Sequence, residues 1–271
     1  LPKAGNDKKI SITDCIFDAC TSSAIYRVLL LSLNHQFELR NNTFQNTQYG
    51  NLGISIITKD LDEINIESCT FINNSMSYTD NIEDCSGGCG IFITRENRNV
   101  DQYRLPFNIC YSNCEWINNS VDKPSGGGGI QVGKGSLSNI GLTFDKCTFE
   151  ENKALKGGAL SIETILPLTI KECTFRNNEA YNSNGYGYGG AIYINPYQRM
   201  TYLNPEGYIL SCEIMGCTFE GNSAQNQNGH ILFMEGNCAT LLYFAQNNTL
   251  INNNNENGGG NAIYYKGQNI T

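Results

Sequence analysis

A unit of two linked motifs recurs along this chain and limits what the chain can fold into. Its fullest copy reads Cys173-Thr-Phe-Arg-Asn-Asn178, followed by Gly189-Gly-Ala-Ile-Tyr-Ile194. The first motif is C-T-F-x-x-N and the second is G-G-A-I-x-I. Phe175 has counterparts at Phe17, Phe44, Phe71, Trp116, Phe149, Phe219 and Leu250, separated by steps of 27, 27, 45, 33, 26, 44 and 31 residues. Asn stands three residues later at Asn74, Asn119, Asn152, Asn178, Asn222 and Asn253, with Cys20 and Thr47 in the first two copies. Two residues before the aromatic stand Cys15, Cys69, Cys114, Cys147, Cys173 and Cys217, with Asn42 and Asn248 in the other copies. The second motif gives an aliphatic column, Ile25, Ile54, Ile91, Ile130, Leu160, Ile192, Ile231 and Ile263. A column of small residues precedes it, broken by His230.

A fixed period in this range means stacked units, none of which buries a hydrophobic face alone. Apolar residues alternate ahead of the aromatic, as in Leu168 and Ile170 or Ile64 and Ile66. Alternation marks strands with one buried face. No copy has helical periodicity over ten residues. Strands of one kind recurring in one direction pair in parallel, so the fold is read as all-β: a right-handed, single-stranded parallel β-helix of the pectin-lyase-like kind. About eight coils at about 4.8 Å each give a rod of roughly 40 Å. Residues 1–9 read as a polar extension and 10–271 as a single β-helix domain, part of a longer chain or assembly. An inward Asn at a turn satisfies turn amides and bonds to the Asn one coil away. Gly-Gly before a strand allows positive φ and close backbone approach.

C-T-F-x-x-N paired with G-G-A-[ILV] resembles the repeat of the chlamydial polymorphic outer membrane proteins, and similar repeats occur in surface proteins of protists. The resemblance covers residues 10 to 265. It implies a right-handed β-helix displayed at a cell surface, in proteins regarded mainly as adhesins. It brings no catalytic residues.

Charged residues make up 16% of the chain and the net charge is −8. That disfavours nucleic acid and anionic membrane as partners, since both need basic patches. Val28–Leu33 is apolar but too short to span a bilayer, so no direct membrane insertion is expected. With neither a signal peptide nor an initiator Met, the chain reads as a mature form or a piece of a longer one. Twelve cysteines point to an oxidising compartment, hence a secreted or cell-surface location. Column cysteines would stack with parallel Cβ vectors, poor geometry for bridging. They read as buried thiols acting as small hydrophobes. Off the column, Cys20, Cys85, Cys89, Cys110, Cys212 and Cys238 are the disulfide candidates. The spacings Cys85-x3-Cys89 and Cys110-x3-Cys114 resemble zinc ligand pairs, but no paired His accompanies them, and no cofactor or metal is expected. Five sequons, at Asn41, Asn73, Asn118, Asn247 and Asn269, are candidate glycosylation sites. Alternation turns Asn73 and Asn118 outward and Asn74 and Asn119 inward.

Insertions at 94–106, 179–188 and 195–207 carry Tyr103, Arg104, Tyr181, Tyr186, Tyr188, Tyr197, Arg199 and Tyr202. Long loops on a rigid rod are where binding usually sits, and Tyr and Arg are enriched at interfaces. Two readings stand side by side: these loops hold glycans or cell-surface proteins, or they merely cover their side of the rod. Both ends look uncapped, and exposed pairing edges call for a partner that stacks on them: other copies or other segments. The Gly126–Gly129 run lacks the Lys-Ser/Thr of a phosphate cradle and reads as turn glycine. A polysaccharide lyase or hydrolase is the alternative function. Asp14, Glu67, Glu172 and Glu213 form a loose outward acidic row, and stacked carboxylates can meet the 5–9.5 Å spacing that glycoside hydrolysis needs. Paired Asp and a Gly-His-Gly are absent, and Asn228-Gly229-His230 is the nearest match. The favoured reading is non-catalytic: an adhesin or a component of an extracellular assembly. The register predicts its own test. Ile192→Asp should abolish cooperative thermal unfolding, because an unpaired buried charge is very costly, whereas Tyr197→Ala should melt like the parent.

Overall fold

The computed structural model describes residues 10–19, 37–47, 52–56, 63–76, 91–95, 107–122, 127–132, 140–163, 167–181, 187–195, 210–225, 228–235, 240–244, 247–253 and 261–266. Every sheet in it is parallel. Repeat six shows the unit. Leu168–Lys171 enters the first sheet, Thr174–Arg176 the second, Glu179–Ala180 the third and Ile192–Ile194 the fourth. Each strand pairs with its counterparts one repeat before and after, giving sheets of eight, eight, five and seven strands among the described residues. This all-β stack, with no helix described, is consistent with a parallel β-helix. No helix among the described residues is long and apolar enough to cross a membrane.

Uniform columns build the core, because each side chain meets its own kind one rung away. Phe17, Phe44, Phe71, Trp116, Phe149, Phe175 and Phe219 stack face to face, with ring centroids 4.6–5.3 Å apart. Full burial of each ring is worth about 1.5–3 kcal/mol, and stacking adds about 0.5–1.5 kcal/mol. Ile64, Ile109, Leu142, Leu168 and Cys212 form one inward row of the first sheet, and Ile66, Tyr111, Phe144, Ile170 and Ile214 the other.

The fourth sheet corrects the expected aliphatic column in two places. Leu52, not Ile54, pairs with Ile91, and Leu232, not Ile231, pairs with Ile192 and Ile263. Ile231 instead follows the alanines: it stands one residue before the column, as Ala159 and Ala191 do. The glycine pair is explained by close approach. Gly157 and Gly189 take φ of +64° and +68°, and a Cβ at Gly158 would lie 2.3 Å from the Gly190 carbonyl oxygen of the next rung. His230 occupies that second-glycine position, where no later strand of the third sheet is described. Its Nδ1 accepts the N–H of Ala224, on the edge strand Ser223–Ala224, at 2.9 Å. His230 closes a sheet edge.

Two polar ladders lock the register. Each inward Asn takes two bonds from the repeat before it and gives one back. Asn152 Oδ1 accepts from the Asn119 N–H at 3.1 Å and from Asn119 Nδ2 at 2.9 Å, while Asn152 Nδ2 donates to the Trp116 carbonyl at 2.9 Å. The pattern repeats through Asn74, Asn178, Asn222 and Asn253. The cysteine column is the second ladder. Asn42 and Asn248 accept the N–H of Cys15 and Cys217 and donate to the carbonyls of Ile12 and Ile214. The thiols make the same bonds: Cys173 Sγ accepts the Cys147 N–H, and Cys114, Cys147 and Cys217 donate to Ile66, Tyr111 and Ile170. These cysteines therefore do more than fill space. The strand between the ladders is flanked by left-handed residues, Asn41 and Asn46, Ser68 and Asn73, Asn113 and Asn118, with φ of 52–55°. Asn tolerates that conformation best among residues with a side chain.

The ladder sets quantitative expectations. Asn152→Ala strands buried donors and acceptors on two rungs and should cost about 2–5 kcal/mol in urea unfolding, against roughly 1 kcal/mol for Asn253→Ala at the edge. Tyr111 buries its hydroxyl without a hydrogen-bond partner. Tyr111→Phe should therefore leave stability unchanged or raise it by about 1 kcal/mol.

Candidate functional site

The residues singled out from sequence fall in different places. Asn41, Asn73, Asn118 and Asn247 are exposed at the turns beside the second sheet, with Asn74 and Asn119 buried beside them. The outward turn of Asn73 and Asn118 comes from left-handed backbone and not from strand alternation alone. Asn118 Nδ2 donates to Asn73 Oδ1 at 2.9 Å. Of the loop residues, Tyr181 is 46% exposed and Tyr188 is half-buried. Tyr103, Arg104, Tyr186, Tyr197, Arg199 and Tyr202 lie outside the described residues, as do Asn269, Cys20, Cys85, Cys89 and Cys238.

Two disulfide candidates, Cys110 and Cys212, are described, and Cys212 is a free thiol. Cys212 lies off the cysteine column, as expected, but it points into the core between Leu168 and Leu242. Cys110 stands on the outward row of the first sheet beside Asn65 and Thr143, while Cys114 is buried, so the Cys110-x3-Cys114 pair faces two ways. Among the described residues no group of three or more His, Cys, Asp or Glu is placed to hold a metal ion. The acidic row also breaks up. Asp14 and Glu172 sit at left-handed turns, Glu67 shares a row with Arg40 and Ser112, and Glu213 lies one outward row further in, beside Thr169. Two of these acids are ion-paired, Glu67 to Arg40 at 3.1 Å and Glu172 to Lys171 at 3.4 Å.

The structure instead gathers chemistry on the outer face of the fourth sheet. Ile130 and Val132, Leu160 and Ile162, and Ile192 and Ile194 point into the core. The residues between them, Gln131, Ser161 and Tyr193, point the other way and share a row with Phe233 and Tyr264. Outward residues are normally wet, yet Gln131, Ser161 and Tyr193 are 0% exposed. Tyr193, Phe233 and Tyr264 stack at 5.8 and 5.1 Å, with Tyr188 edge-on to Phe233 at 5.0 Å. Ser161 interrupts the row, and Lys156 Nζ fills part of the gap, 5.0 Å over the Tyr193 ring and 3.5 Å from Glu163 Oε1. Tyr193 donates its hydroxyl to Glu235 at 3.1 Å and accepts from Asn195 at 3.0 Å, and Lys266 pairs with Glu235 at 3.0 Å. Glu163 and Glu235 follow Ile162 and Met234 in one register, two rungs apart. Burial, and secondarily the nearby carboxylates, push the Tyr193 hydroxyl above its ordinary range, so it stays a neutral donor.

The family comparison bears on the same stretch. Residues 172–195 match the Chlamydia polymorphic membrane protein (Chlamydia_PMP) repeat. The match runs from the second sheet of repeat six through the fourth-sheet strand Ile192–Ile194, which holds Tyr193. It agrees with the resemblance seen in C-T-F-x-x-N and G-G-A-I, and it likens this stretch to a module of outer-membrane and surface proteins. No curated protein and no solved structure matches the chain.

Sequence reasoning missed Gln131, Lys156, Glu163 and Glu235. The available signal was the polar residue in the middle of G-G-x-[IL]-x-[IV] strands, with an acid just after two of them. Cys212 carries a testable consequence here. Burial holds its thiol up at about 12. The folded state thus prefers the neutral thiol: its stabilising contribution is whole below the ordinary thiol range and is lost as pH climbs from about 9 towards 12. Urea midpoints should fall with rising pH in the parent, and less steeply in Cys212→Val.

Proposed function

We propose that this chain is a non-catalytic, secreted or cell-surface module, a right-handed parallel β-helix of about eight coils that serves an extracellular assembly or adhesin by stacking through its end. The observation that carries this is the exposed apolar edge at repeat eight. Each earlier Asn gives its backbone N–H to the Asn one rung on, and each aromatic gives its carbonyl to that same Asn. Asn253 N–H and the Leu250 carbonyl have the same orientation on the last described rung of the second sheet, whose neighbour on one side is Phe219 and its strand. Leu250, Ile263 and Tyr265 occupy core or near-core columns there but are 48%, 38% and 55% exposed. Apolar columns that end in exposed side chains at a sheet edge are a template for another coil. The likeness of residues 172–195 to a surface-protein repeat supports the location, and the four outward sequons fit a glycosylated exterior.

Electron microscopy and sedimentation velocity of the full chain test this. Rods joined end to end are expected, with association weakened at least tenfold in a Leu250→Lys, Ile263→Lys double variant that keeps the parent's β-sheet spectrum. Strict monomers at all concentrations, unchanged in the double variant, would sink the assembly reading.

A further inference from the structure

We infer that the buried gap in the outer row of the fourth sheet, between Gln131 and Tyr193, is a binding site for a neutral saccharide held by its hydroxyl groups. This deepens the surface-module reading and rests on it, because it names a ligand class for a rod proposed to stand outside the cell. Gln131 Nε2 and Oε1 and Ser161 Oγ are all buried with no hydrogen-bond partner. Both residues are 0% exposed and face away from the core. Buried amides and hydroxyls are almost always paired, so three unfilled atoms on adjacent rungs mark a place where partners are expected. The surroundings select the partner. Glu163, 2% exposed, disfavours an anion, and Lys156 at 3.5 Å from it disfavours a cation. Their charges offset, which leaves a neutral site rich in hydrogen-bonding capacity. Gln131 offers a donor and an acceptor and Ser161 offers both in one group, which is the pattern that neighbouring sugar hydroxyls match. The Tyr193 ring supplies an apolar wall. Lys156, beside the Tyr193 ring and Glu163, keeps 23% side-chain exposure. This places sugar recognition on the sheet and not on the Tyr-bearing loops.

The test pairs binding with stability. The full chain is titrated with glucose, galactose and N-acetylglucosamine, with galacturonate and inorganic phosphate as anionic comparators, followed by protein NMR. Gln131→Leu and Ser161→Ala are titrated alongside, and all proteins are melted. At least one neutral sugar should bind, Gln131→Leu should weaken it at least tenfold, and the variant's Tm should equal or exceed the parent's. A purely structural Gln131 would instead lower Tm. Binding of the anions alone, no neutral sugar bound, or undiminished binding by Gln131→Leu would overturn the inference. End-to-end association is scored on the same samples: if it persists while no sugar binds, the site fails and the assembly reading stands.

Discussion

Side-chain amides that cross from one rung to the next are the bonds on which this fold depends. Parallel strands can slip by two residues and keep their faces. The buried Asn prevents it, because its acceptor and donors find their partners only when the column stays in register, Asn over Asn or, at the second rung, Asn74 over Thr47. Aromatic stacking then follows at no further conformational cost, since Phe71, Trp116, Phe149, Phe175 and Phe219 each stand three residues before a ladder Asn. The thiol column repeats the device with weaker groups, which explains how Asn42 and Asn248 take cysteine positions without disturbing the chain. With two ladders fixing one narrow strand, the length of the intervening loops becomes almost irrelevant to register. Steps from 26 to 45 residues close onto the same spacing.

The four sheets do not share one kind of exterior. The second sheet is bordered by exposed left-handed asparagines and carries ion pairs such as Glu150–Arg176–Glu220, open to solvent. Such exposed pairs add little stability. The fourth sheet hides its outward row, and with it a Lys–Glu pair whose desolvation is costly. A rod needs only its core to stand, so a second buried layer outside the core calls for another reason. The saccharide site proposed above is such a reason, and it is argued from the unpartnered Gln131 amide.

Most of the architecture was legible because columns carry independent signals. Phe175 with Asn178 and Cys173 fixes three positions at once, and the structure stacks all three positions from the second copy onward. The fourth sheet was harder. Its middle strands are buried on both sides, and Ile231 and Leu232, or Leu52 and Ile54, look alike to a pattern that distinguishes only apolar from polar. A one-residue misplacement there costs nothing in hydropathy. Cys212 was misread for a related reason: its column is aliphatic elsewhere, and a thiol resembles an aliphatic group only once the pairing with Leu168 is known. The acids at Glu163 and Glu235 escaped notice because each lies just beyond its strand motif, at a corner that sequence alone leaves unaligned.

All four sheets run their hydrogen bonds in one direction, from rung to rung. A tether holding one end and a load on the other would pull along those bonds, not across them. Each rung touches only its neighbours, so the load would strip one turn of chain at a time and leave the remainder standing. The shortest repeat, 26 residues, would pay out about 90 Å when it peels away, and the longest, 45 residues, about 160 Å. A surface protein built this way lengthens in stages before it lets go.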